Sequence, residues 1–175
     1  MRHLTAAEFI RQPWKNGKGV TVELARAERD GALLWRLSMA TVAEDGPFSL
    51  FPGIERNLTV LTGPGFRLVG TGFALDCHPL VPVAFPGDVA VHAEGTQGRT
   101  STDFNVMTAR DLPRPDVVVV SGPTDFAANG LLALFALGPA SLPDRDLATH
   151  DLILTEGPLS LLTGQALVIR LHSSG

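Results

Sequence analysis

Three short stretches carry side chains that together suit a small polar ligand. Pro13-Trp14-Lys15-Asn16-Gly17 sets an amphipathic ring, a cation and an amide beside a glycine that allows close backbone approach. The group fits a carboxylate or amide ligand, and equally an Asn-Gly turn tethered by its Trp. In Trp35-Arg36-Leu37-Ser38-Met39, Arg36 and Ser38 share one strand face. Turned inward, a guanidinium fork and a hydroxyl suit a carboxylate; turned outward, they are merely solvated. Arg56 follows the Phe51-Pro52-Gly53 turn and either caps it or points inward. In Asp103-Phe104-Asn105-Val106-Met107, the Asp, Asn and Met share a face. That mixture fits a polar–apolar cavity wall, or the wet face of an edge strand.

Other chemistries fit less well. The five histidines, His3, His78, His92, His150 and His172, show no H-x-H or H-x₃-H spacing, and His92-Ala93-Glu94 sets a carboxylate two residues from a His. Neither a metal site nor any other cofactor is expected from such spacing. Cys77 and His78 are adjacent, so on a strand they face opposite ways, and a small buried Cys beside Pro79 is the plainer reading. There is no Gly-x-Ser-x-Gly elbow, and Gly17-Lys18-Gly19 precedes a strand rather than a phosphate-binding helix.

The elements that must position these residues are all β. Hydrophobic residues make up 45% of the 175 and charged residues 18%, a globular balance. A net charge of −4 argues against nucleic-acid or anionic-membrane partners. One cysteine, no apolar leader core and no apolar run of membrane length lead to the expectation of a soluble cytoplasmic protein. Assembly is left open, a homodimer included.

Thr5-Ala6-Ala7-Glu8 fits a capping box, which predicts a short helix ended at Gln12-Pro13. Beyond it, Val20, Val22 and Leu24 alternate with Thr21 and Glu23, and ten or so similar short runs follow. Turn signals such as Asp30-Gly31, Thr62-Gly63-Pro64-Gly65, Pro86-Gly87-Asp88 and Asn129-Gly130 separate them, the mark of a small barrel or sandwich. Residues 58–70 also lie over 152–164 at a constant offset, with Leu, Gly, Pro, Leu and Gly coinciding, which suggests a repeat. The expected division is residues 1–110 and a smaller half, 111–175, joined at Leu112-Pro113-Arg114-Pro115-Asp116.

Taken in order, these stretches resemble the HutD/Ves family. The likeness is carried by Pro13 to Gly17 with Gly19-Val20-Thr21, by Trp35 to Ser49, by Phe51 to Arg56 with Leu58, Val60 and Leu61, by Phe85-Pro86-Gly87-Asp88 and by Asp103 to Met107. Two departures stand out: Lys18 breaks the glycine triplet after Asn, and Val22 stands where a basic residue is common. The resemblance implies a cupin-like (RmlC-like) double-stranded β-helix or jelly roll in two barrel halves, without metal. It implies a regulator linked to histidine utilisation that senses a small carboxylate such as formylglutamate without catalysis. A metal-independent isomerase or lyase is the alternative. By motif, Trp14, Lys15, Asn16, Arg36, Ser38, Arg56, Asp103 and Asn105 are the expected pocket residues.

Overall fold

The computed structural model describes residues 1–14 and 19–172. The strands are β1 (Arg2–Leu4), β2 (Ile10–Pro13), β3 (Val20–Arg29), β4 (Ala32–Val42), β5 (Gly46–Pro47), β6 (Ile54–Thr62), β7 (Phe66–Gly70), β8 (Phe73–Cys77), β9 (Val83–Pro86) and β10 (Val91–Glu94). They continue as β11 (Ser101–Ala109), β12 (Asp116–Ser121), β13 (Thr124–Phe126), β14 (Leu131–Ala136), β15 (Ala140–Leu142), β16 (Arg145–Leu147), β17 (Leu152–Thr155), β18 (Leu159–Leu161) and β19 (Gln165–Leu171).

The expected N-terminal helix is absent, and the segment reads strand, turn, strand. Half of the capping box does form: Glu8 accepts from the Thr5 backbone N–H at 2.8 Å, and the Glu8 N–H donates to the Thr5 carbonyl at 2.9 Å. The turn does not propagate because β1 and β2 on either side are committed to sheets, so tertiary pairing overrides the local signal. Among the described residues no helix is long and apolar enough to cross a membrane.

The chain divides into two compact units, residues 10–110 and residues 1–9 with 111–175. The first nine residues therefore group with the C-terminal part, not with 10–110 as expected. The cause is β1, which pairs antiparallel with β17 through Arg2–Leu154 and Leu4–Leu152. In the unit of residues 10–110, a six-stranded sheet (β2-β3-β4-β11-β6-β9) and a four-stranded sheet (β5-β10-β7-β8) are joined by one apolar cluster. Val42, Leu58, Val60 and Phe85 come from the first sheet, and Phe66, Leu68, Cys77, Val91 and Ala93 from the second. Each fully buried Leu contributes about 1.5–3 kcal/mol of transfer free energy. The other unit has a five-stranded sheet (β1-β17-β14-β19-β12) and two smaller ribbons around a Leu-rich cluster.

The two matching sequence segments occupy the same step in each unit. β6 and β17 belong to the larger sheets, a Gly-Pro turn follows, and β7 and β18 belong to smaller ones. They are strands that change sheets rather than hairpins. Gly65 makes the first of these turns feasible: its φ is +83°, a Cβ there would lie 2.0 Å from the Cys77 carbonyl oxygen, and its N–H donates to Ser101 Oγ at 3.0 Å.

Candidate functional site

The site follows from the register of three neighbouring strands. β11 lies inside the six-stranded sheet, between β4 and β6, and is not the edge strand that its polar alternation also allowed. On β4 it sets Asp103 opposite Ala40, Asn105 opposite Ser38 and Met107 opposite Arg36. On β6 it sets Asp103 opposite Val60, Asn105 opposite Leu58 and Met107 opposite Arg56. Because side chains alternate, all of these fall on one face. Going along that face of β6, Val60 and Leu58 belong to the apolar cluster and Arg56 comes next, where the cluster gives way to a cavity of about 500 Å³. That size suits a small-molecule ligand.

Arg56, Asp103, Asn105, Arg36, Ser38 and Trp14 all line this cavity. Lys15 and Asn16, which were expected beside them, lie outside the described residues. Arg56 points inward and does not cap its turn. It is 6% exposed, and its guanidinium carbon lies 5.0 Å from the ring centre of Phe85, 5.3 Å from Phe51 and 5.4 Å from Phe48. Aromatic faces stabilise a cation there by about 0.5–2 kcal/mol each. They do not replace water fully: burial pulls Arg56 down to about 10, against the charge of Asp103, which holds it up.

One hydrogen-bonded chain links the polar groups. Arg56 Nη2 donates to Asn105 Oδ1 at 2.6 Å, and Asn105 Nδ2 donates to Asp103 Oδ1. The first link is a diagonal pair across strands, and the second joins residues two apart on one strand. Asp103 is 0% exposed, and burial pushes its carboxyl up to about 7 despite the Arg56 charge and the Asn105 donor. Two polar atoms in this chain are buried with no hydrogen-bond partner among the described residues: Arg56 Nε, a donor, and Asp103 Oδ2, an acceptor when ionised.

Arg36 is differently placed. Its Nε lies 2.6 Å from Glu23 Oε2, a charge contact rather than an aligned hydrogen bond, and Nη2 donates to Gln12 Oε1 at 3.5 Å. Glu23 is 6% exposed, so this pair fastens β3 to β4 and neutralises Arg36. Trp14 is fixed from two sides. Its indole N–H donates to Thr21 Oγ1 at 2.9 Å, and its backbone N–H donates to the Gly19 carbonyl at 2.9 Å. Its ring lies against Gly19, where a Cβ would come within 2.8 Å of it.

Glu23, Gln12, Thr21 and the three Phe were not among the expected site residues. Thr21 and Glu23 do alternate with Val20 and Val22, so their shared face was readable, but the partner across the sheet was not. Among the described residues, no three His, Cys, Asp or Glu side chains group so as to hold a metal ion. Cys77 is 2% exposed and burial pushes its thiol up to about 12, which leaves it unreactive at neutral pH.

Similarity to known proteins agrees with this architecture. The chain is 31% identical to HutD from Pseudomonas fluorescens SBW25, solved in a formate condition, with 99% of each chain covered and a TM-score of 0.87. It is 34% identical to a conserved protein of unknown function from Pseudomonas aeruginosa PAO1, with 99% of each covered and a TM-score of 0.84. At 13% identity, Escherichia coli YlbA shares the fold alone, with 99% of this chain and 91% of that one covered and a TM-score of 0.66. The fold is thus all-β and cupin-like. The HutD family model matches residues 6–172, nearly the whole chain and every described site residue, and so the chain belongs to the HutD family.

Proposed function

We propose that this protein binds a small carboxylate without turning it over and acts as a cytoplasmic regulator in histidine utilisation. The ligand is formylglutamate or a related small carboxylate. One observation carries the reading: a buried guanidinium with an unpartnered N–H lines a cavity of about 500 Å³, beside Asn105 and Ser38. A carboxylate drawn to this guanidinium from the cavity accepts from it, and a charged hydrogen bond of this kind contributes about 1.5–3 kcal/mol. In this reading the deeper cation is Arg56, buried among Phe48, Phe51 and Phe85, while Arg36 is held by Glu23. Trp14, fixed over Gly19, covers one side. The formate condition of the Pseudomonas fluorescens structure is in keeping with a small carboxylate, and family membership supports the link to histidine utilisation.

A second reading, a metal-independent enzyme of isomerase or lyase type, draws on Asp103. A buried carboxyl held near 7 next to a cation has the properties of a general acid or base. Calorimetry with formylglutamate, urocanate and formate, with the same mixtures followed by NMR, separates the two. Saturable heat with unchanged ligand spectra is the expected result. Conversion of any ligand moves the assignment to the enzyme, and folded protein giving no heat with any of the three removes both readings.

A further inference from the structure

The charges that face this cavity cancel in pairs among the described residues. Arg36 from β4 is matched by Glu23 from β3, and Arg56 from β6 by Asp103 from β11. The remaining titratable neighbour of Asp103 among those residues is Cys77 from β8, whose thiol burial pushes up to about 12, and none of the described histidines lines the cavity. An incoming carboxylate therefore adds a negative charge to a site whose described charges are paired. Asp103 lines the same cavity, with Oδ2 buried and unpartnered among the described residues while Oδ1 is held by Asn105. Two ionised carboxylates sharing such a place repel strongly, and one of them takes a proton.

Resting on the carboxylate-binding reading above, we infer that the site takes up one proton with each small carboxylate it binds. Asp103 carries that proton on Oδ2 and donates it to a ligand oxygen, while Arg56 faces the same group. The hydrogen-bond chain fixes which oxygen is protonated. Oδ1 already accepts from Asn105 Nδ2, so the proton goes to Oδ2, the oxygen with a free position. Proton uptake turns a repulsive contact into a short acid–carboxylate hydrogen bond and leaves the Arg56 charge free to balance the ligand. It is inexpensive near neutrality because Asp103 already sits near 7. The site thereby reads carboxylate and acidity together, and its affinity weakens as the medium becomes alkaline.

Calorimetric titration of the full chain with formate and with formylglutamate, at pH 8 in HEPES and in Tris, counts the protons, since the two buffers release a proton with different heats. The expected result is close to one proton taken up per ligand, and a Kd that rises nearly tenfold per pH unit between 7.5 and 9. Asp103→Asn keeps the acceptor for Asn105 and places an N–H donor where Oδ2 was. It is expected to give a buffer-independent heat and a flat profile. Binding by the unaltered chain with the same heat in both buffers overturns the inference and leaves the carboxylate reading standing. No binding by folded protein at pH 6 overturns both.

Discussion

Replacing Asp103 by Asn is expected to stabilise the protein, and by an amount that depends on pH. The free aspartate side chain titrates at 3.8, whereas burial raises Asp103 to about 7 in the folded chain. Between those values the folded state holds a proton that the unfolded chain has released. The stability tied to this group is fully present below about pH 4 and is lost as pH rises to about 7. Each pH unit across that window removes about 1.4 kcal/mol, so the loss sums to roughly 4 kcal/mol above pH 7. Asn resembles the protonated acid in shape and charge and escapes this loss. Urea unfolding of both proteins at pH 5, 7 and 8.5 measures it. The variant should gain about 1–2 kcal/mol over the parent at pH 5 and about 4 kcal/mol at pH 8.5, with equal m values. A stability difference that is constant with pH, or a variant less stable than its parent at pH 8.5, would refute the picture of an ionised, poorly solvated carboxyl. That a native residue lowers stability here is what a binding group held ready for its ligand is expected to do.

Three further outcomes follow from the same geometry. Arg56→Lys keeps the charge but loses the planar fork that reaches Asn105 and the cavity at once, so carboxylate affinity falls about 10–100-fold by calorimetry while the fold persists. Gly19→Ala puts a methyl 2.8 Å from the Trp14 ring, which must swing away from Thr21; a red-shifted tryptophan emission and weaker binding are expected, and an unchanged spectrum speaks against Trp14 as the cover. Cys77, 2% exposed with its thiol up at about 12, should not react with a disulfide reagent at pH 8 until urea unfolds the chain.

Much of the architecture was legible because strand alternation is a local property. Trp35 to Met39 and Asp103 to Met107 show a period of two, and their faces emerged as read: Arg36 and Ser38 on one side of β4, Asp103 and Asn105 on one side of β11. Local pattern does not tell which strands are neighbours. That β11 lies between β4 and β6 is a pairing across dozens of residues, and it alone decides that Arg56 meets Asn105. The same limit hid the Glu23–Arg36 pair, which joins β3 to β4. The N-terminal helix failed for a related reason. The Thr5–Glu8 turn is present, but β1 takes its partner from β17, nearly the whole chain away.

The most direct test of a carboxylate held by Arg56 is a crystal structure of the chain grown with saturating formylglutamate. A ligand carboxylate within hydrogen-bond distance of the Arg56 guanidinium, with Asp103 Oδ2 facing one of its oxygens, is the expected result. A carboxylate seated elsewhere on the molecule, or a cavity that stays free of ligand at saturation, would contradict it.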